Sequence, residues 1–260
     1  MLIVVSPAKS LDYESPIPAR RASMPRMLDR SKELVAVMAT KSPDEIRSLM
    51  SISSELAALN HERFQDWTVP YPRKRARPAL FAFNGDVYMG MQARTTFGAD
   101  DLSRAQKSLR ILSGLYGVLR PLDLMLPYRL EMGSRQATTR GGDLYGFWGN
   151  EITDVLAADI AESPGKKVLI NLASQEYFAA VRPGRLGVPV ISPAFIDAKG
   201  EGPHKIVSFF AKRARGAMAA WIIRERINRV STLSGFEGLG YHFDKARSTP
   251  ERPVFARDHD

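Results

Sequence analysis

Six residues of this chain carry the groups that acid–base chemistry needs: Lys9, Asp86, Arg129, Glu131, Ser174 and Glu176. Together they offer both signs of charge and a hydroxyl, the set from which a general acid, a general base and a polarising cation are drawn. Most stand where a strand is expected to end. Ser6-Pro7-Ala8-Lys9 follows the apolar run Leu2–Val5, Asn84-Gly85-Asp86-Val87-Tyr88 follows Ala79–Phe83, and Asn171–Tyr177 follows Lys167–Leu172. Pro127-Tyr128-Arg129-Leu130-Glu131-Met132 lies a little beyond a glycine turn. Ligand sites of open sheets gather beyond strand ends, so the six could meet in one cleft. Turns are also polar for structural reasons, and the same residues could only solvate loops.

The glycine turn offers a second chemistry. Leu112-Ser113-Gly114-Leu115-Tyr116-Gly117-Val118-Leu119-Arg120-Pro121-Leu122-Asp123-Leu124 follows an amphipathic basic stretch, Asp101–Ile111. A helix that ends in such a turn and restarts as a second helix aims free amides outward, and the helix dipole there favours an anion. The spacing is compatible with a helix–hairpin–helix that starts from this stretch. Backbone around Ser113, Gly114, Leu115, Tyr116 and Gly117 would hold a phosphate, flanked by Lys107, Arg110 and Arg120. Two features depart from the usual hairpin: two residues separate the glycines, and Pro121 falls early in the second helix. An ordinary helical corner, with the glycines as C-cap and packing residue, fits the same residues.

A third cationic feature runs from His204 to Arg229. It holds Lys205, Lys212, Arg213, Arg215, Arg224, Arg226 and Arg229 against a single acid, Glu225. Phe210, Ala214, Met218, Trp221 and Ile222 recur at helical spacing and face a core, leaving Lys212 and Arg215 one turn apart on a more exposed side. Such a helix could follow a nucleic-acid backbone, or simply be a solvated basic surface.

Composition narrows the classes. The 260 residues carry net charge +9, with 37 basic against 28 acidic residues and an apolar fraction of 44%. The charge suits a polyanionic partner. There is no cysteine, so disulfides, thiol catalysis and cysteine-ligated metals are excluded. His61, His204, His242 and His259 lack metal-ligand spacing, and no Walker loop or dinucleotide fingerprint occurs, so neither metal nor cofactor is expected. No signal peptide or membrane-length apolar run is present, which suits a cytoplasmic location without membrane contact.

The elements that must position these groups read as a mixed set. Strands are expected at Leu2–Val5, Ala79–Phe83, Lys167–Leu172, Val188–Ile196 and Ile206–Phe210. Helices are expected at Leu28–Met38, from Ser42 to about Met50, and at Ser53–Phe64, Asp100–Leu112, Phe147–Ala161 and Ala211–Asn228. Tyr71–Pro78 reads as a solvated basic connector, and the tail from Ser231 as irregular, frayed at Asp258-His259-Asp260. No repeat or composition shift divides the chain. The fold class is therefore α/β with a mixed, α+β character: a single domain over 1–260, with a mixed sheet and surrounding helices.

Seven motifs stand in a recognisable order: Leu2–Lys9, Phe83–Tyr88, Leu112–Met125, Pro127–Met132, Phe147-Trp148-Gly149, Asn171–Ser174 and Ala211–Gly216. The set resembles the bacterial YaaA family of peroxide-stress-resistance proteins, from Met1 to about Phe243. The resemblance implies a cytosolic protein that helps cells survive hydrogen peroxide and limits damage tied to unincorporated iron. It also implies DNA binding by a compact mixed α/β fold with a positively charged cleft and a helix–hairpin–helix, which would fall on Asp101 to about Met125 here. It favours the phosphate-gripping reading of the glycine turn over the corner. The leading expectation is thus a DNA-binding protein of the peroxide response, with little base preference. Duplex or branched DNA is its partner, and no stable protein partner is expected. The expected contacts are the 113–117 backbone with Lys107, Arg110, Arg120, Lys212, Arg213 and Arg215. The rival is an enzyme acting on a nucleotide or modified base, with Lys9, Asp86, Arg129, Glu131, Ser174 and Glu176 lining its cleft.

Overall fold

The run Leu2-Ile3-Val4-Val5 is apolar without alternation, the pattern of a strand covered on both faces. In the computed structural model, which describes residues 1–19, 21–72, 74–200 and 202–259 (backbone only at Lys199 and His259), all four are buried. They form β1 (Leu2–Val5), the middle of a five-stranded sheet. Its order is β4 (Gly117–Leu119), β3 (Leu109–Ser113), β1, β6 (Leu169–Leu172) and β7 (Val190–Ile191). β3, β1, β6 and β7 run parallel, and β4 returns antiparallel to β3. The chain fills the β3 side of β1 first and then moves to the β6 side. The order therefore reverses between β1 and β6, which leaves a crevice beyond their carboxyl ends.

Smaller sheets flank this one. β2 (Arg77–Pro78) pairs with β5 (Leu124–Met125), and β10 (Val254–His259) lies between β8 (Ala194–Lys199) and β9 (His242–Asp244). The second group is lined with aromatic rings: Phe195 packs on Phe236, Tyr241 and Phe255, and Trp221 packs on Phe236.

Helices form where apolar spacing and caps agree. α1 (Leu28–Ala39), α2 (Pro43–Met50) and α3 (Ser54–Gln65) lie close to their expected spans. α2 starts with a complete capping box, in which the Ser42 hydroxyl accepts from Glu45 N and the Glu45 carboxylate accepts from Ser42 N. The short α4 (Ala79–Ala82), α5 (Asp86–Met91) and α6 (Ala93–Thr96) lead into α7 (Ala99–Ser108). α8 (Leu144–Trp148), α9 (Glu151–Glu162) and α10 (Gln175–Phe178) precede the long α11 (Ser208–Arg224), which packs across β1 and β6.

α11 also crosses α5 through two glycines. A Cβ on Gly216 would fall 1.8 Å from the Val87 carbonyl oxygen, and one on Gly90 would fall 2.0 Å from that of Arg213. Only hydrogen at both positions lets the two backbones come this close. The crossing brings Asp86, next to Val87, and Arg215, next to Gly216, to the lining of one cavity.

Several expectations are corrected. The chain from 101 to 125 is not a helix–hairpin–helix. α7 stops at Ser108, residues 109–113 are β3, and Gly117 opens β4. Leu109 and Leu112 sit at helical spacing, yet a central strand buried on both faces also accepts consecutive apolar residues, and pairing with β1 decides between them. The bend itself is enclosed. Leu115 and Tyr116 have no exposed surface, Trp148 Nε1 donates to Gly114 O at 2.9 Å, and Ser113 Oγ accepts from Tyr116 N. Gly117 takes φ +66°, with Met27 and Trp148 against its Cα. Residues 113–117 are all buried, so the bend presents no open surface for a phosphate.

Ala79–Phe83 is a single helical turn rather than a strand, because its amides are taken locally and by Pro121 and Asp123 carbonyls. Val188–Ile196 divides at Pro193 into β7 and β8, which belong to different sheets. Ile206–Phe210 is not a strand, since α11 begins at Ser208. The Tyr71–Pro78 connector is not solvated throughout: Tyr71, Ala76 and Arg77 are buried, and Arg77 donates to the carbonyls of Asp12 and Ser15; Arg73 lies outside the described residues. The tail is ordered by β9 and β10, and Asp258 pairs with His204 at 2.9 Å. Asp260 and the His259 side chain lie outside the described residues.

Candidate functional site

Beyond the carboxyl ends of β1 and β6 lies a cavity of about 280 Å³. Its floor is built by two serines that follow the strands. Ser174 N donates to Ser6 Oγ at 2.8 Å, and the two hydroxyls are 3.2 Å apart. Tyr88 Oη donates to Ser6 O at 3.1 Å. Burial pushes the Tyr88 phenol well above its ordinary pKa, so it stays a neutral donor.

The walls carry charge of both signs. Lys9, Asp86, Glu131, Ser174 and Glu176 all line this cavity, and Lys212 and Arg215 join them from α11. Arg129 stands behind Glu131 rather than in the lining: its Nε donates to Glu131 Oε1 at 3.0 Å, and Lys9 Nζ reaches the same oxygen at 3.5 Å. Glu131 is held by two cations, with its side chain 15% exposed, so its position is fixed at the cavity edge. Glu176 Oε1 accepts from Gly133 N, which ties the loop after Glu131 to α10.

Arg215 is unlike the other inward-facing arginines. Arg26 and Arg110 share Asp159, Arg77 and Arg94 share Asp12, and Arg257 pairs with Asp197. Among the described residues, Arg215 makes no ion pair or hydrogen bond, while burial lowers the pKa of its guanidinium. A half-buried cation in a cavity wall without a counter-ion from the protein leaves its charge uncompensated.

The other expected phosphate contacts disperse. Arg110 is buried, donating to Asp159 Oδ2 at 2.6 Å. Arg120 donates to Asp123 and to the Met24 carbonyl. Lys107 is exposed but stands on α7 just before β3, at the end of the sheet opposite the cavity. Arg213 lies over the Phe209 ring at 4.5 Å, with Nη2 toward Met89 Sδ. Lys212 and Arg215 alone of the expected contacts reach the cavity. Ser6, Tyr88 and Tyr177 also line it, and sequence reasoning missed them as site residues. Ser6 and Tyr88 stand in the strand-end motifs, where a serine before proline and an aromatic after a turn read equally as packing.

A family model described as peroxide stress protein YaaA matches residues 1–247. The chain belongs to the YaaA family of peroxide stress proteins. A UPF0246 protein of Hahella chejuensis is 51% identical over 259 residues, covering all of both chains. One from Idiomarina loihiensis is 51% identical over 257 residues, 99% of this chain and 98% of its own. One from Alcanivorax borkumensis is 52% identical over 257 residues with the same coverage. Membership in the YaaA family assigns a role in peroxide stress. Among the described residues, no helix is long and apolar enough to cross a membrane, and no three metal-ligating side chains cluster.

Proposed function

We propose that the switch-point cavity binds a phosphate-bearing nucleotide, free or within DNA, and transfers a proton on it in the service of peroxide resistance. The observation that carries this reading is the unpaired Arg215, beside Lys212 and facing Asp86, Glu131 and Glu176 across one cavity. Arg215 and Lys212 would hold the phosphate, Arg215 by its planar fork and Lys212 as a mobile point charge. Glu131, pinned by Lys9 and Arg129, is a fixed carboxylate suited to accept a proton, and Asp86 and Glu176 are the alternative acid–base pair. The Ser6 and Ser174 hydroxyls supply further donors at the cavity floor. Binding to DNA, on this reading, runs through the cavity and its cations, with net charge +9 adding a salt-sensitive attraction.

The test is a gel shift of duplex, single-stranded and branched oligonucleotides across a salt series, with product analysis of the same samples. Binding that falls with salt and weakens at least tenfold in Arg215→Gln is expected. Conversion of the nucleic acid or of free nucleotides that is lost in Glu131→Gln is expected with it. Wild-type binding by folded Arg215→Gln would overturn the proposal.

A further inference from the structure

Arg215 lines a second chamber as well as the first. This chamber, about 510 Å³, lies beside the first, over β6 and the start of β8. The segment 171–176 divides the two. Leu172, Ser174 and Glu176 face the first chamber, while Asn171, Ala173 and Gln175 face the second. The two chambers thus share one thin wall and one cation.

Their linings differ in kind. The first is ringed by charged groups. The second is walled by Phe178, Pro193, Phe195 and Ile206, with Gln175, Ser192 and Arg252 as polar edges. Ile206 is 55% exposed, an unusual exposure for a large aliphatic residue that leaves it free to cover a bound group. An apolar wall with a few polar edges is the lining that a flat heterocycle needs: its faces are desolvated and its rim is hydrogen-bonded.

From this we infer that the second chamber holds the base of the nucleotide whose phosphate Arg215 holds, so that the ligand straddles the carboxyl end of β6. The inference rests on the anion reading of the first chamber and adds to it the second half of the ligand. Arg215 is then the hinge of recognition, and Ile206 and Phe178 supply the part of the affinity that a bare sugar phosphate lacks. A free nucleoside, without the phosphate, would lose the contact with Arg215.

Titration calorimetry with adenosine 5′-monophosphate, ribose 5-phosphate and adenosine tests this on the full chain. The monophosphate is expected to bind at least tenfold tighter than ribose 5-phosphate or adenosine. Ile206→Ser, at an exposed position and without new charge beside Arg215, is expected to erase the advantage over ribose 5-phosphate while leaving ribose 5-phosphate binding as it was. Ala179→Trp, also exposed and in the lining, is expected to do the same by filling the chamber, and circular dichroism checks that both fold. Equal wild-type affinity for monophosphate and ribose 5-phosphate would overturn the second chamber alone. So would an advantage that survives both substitutions. Failure of both phosphates to bind would overturn the anion reading, and this inference with it.

Discussion

Replacing Gly216 with alanine sets two effects of opposite sign against each other. In the interior of a helix such as α11, glycine is worse than alanine by about 1 kcal/mol, so propensity alone would make the variant more stable. Packing opposes this. The new Cβ would stand 1.8 Å from the Val87 carbonyl oxygen and 2.8 Å from Met91 N, both backbone atoms that no rotamer change can remove. To restore an ordinary contact near 3.4 Å, α11 and α5 must part by roughly 1.6 Å. Forcing a methyl into a packed interior costs about 1–3 kcal/mol, and a backbone obstacle belongs at the upper end. The net is a loss of about 2 kcal/mol, or roughly 4–8 °C in Tm for a chain of this size. Thermal unfolding by circular dichroism measures it. The same separation shifts Asp86 on α5 relative to Arg215 on α11, two residues that line the cavity, and so disturbs the binding geometry along with the packing. Affinity for adenosine 5′-monophosphate is therefore expected to fall along with Tm. A Gly216→Ala protein with raised Tm would refute the reasoning, since it would mean that the helices are not held by that contact.

Two other comparisons separate scaffold from site, the first with one substitution and the second with a pair. Asp159 is 4% exposed, and although burial disfavours its charge, hydrogen bonds from Arg26 and Arg110 hold its carboxyl below the usual range. A depressed folded-state pKa stabilises the protein above the unfolded pKa, and this support is lost as pH falls through the folded value. Asp12 behaves alike: burial opposes its charge, but Ser15, Glu14 and Arg94 bring it to about 2, so its share fades from near 3.8 down to 2. Asp159→Asn is expected to lower stability by about 3 kcal/mol at pH 7 and to flatten the acid limb in denaturant titrations. A pH profile with an unchanged acid limb would count against that network. In the second, Lys107→Glu is expected to leave DNA binding within about twofold of wild type at moderate salt, where exposed charges far from the cavity are largely screened. Lys212→Glu is expected to weaken it at least tenfold in the same gel shift, and the reverse order would return the phosphate contact to the 109–119 region.

Much of the architecture could be read from local chemistry. The capping box of α2 and the 3.6-residue spacing of α11 each point to one element, and the structure adopts it. The strand-end motifs carried real information too, since five of the six residues drawn from them line one cavity and Arg129 supports it from behind. For Lys9, Ser174 and Glu176 that legibility has a reason: a parallel sheet delivers the residues after each strand to the same side, wherever they stand in the sequence, whereas Asp86 follows the helical turn α4 and Glu131 comes from the chain beyond β5.

Composition, spacing and the order of motifs carry the mixed α/β class, the absence of thiol chemistry, the family and the polar residues fit for a site. Tertiary structure decided which charges are free. Arg110 and Arg215 are the same residue type in similarly basic surroundings, yet one is neutralised by Asp159, 49 residues away, and the other faces a cavity without a partner. It also decided that residues 109–119 are a buried hairpin, because pairing with β1 outweighed a helical spacing of two leucines. A cation's availability and a short apolar run's conformation both depend on neighbours distant in sequence, and no local pattern encodes those.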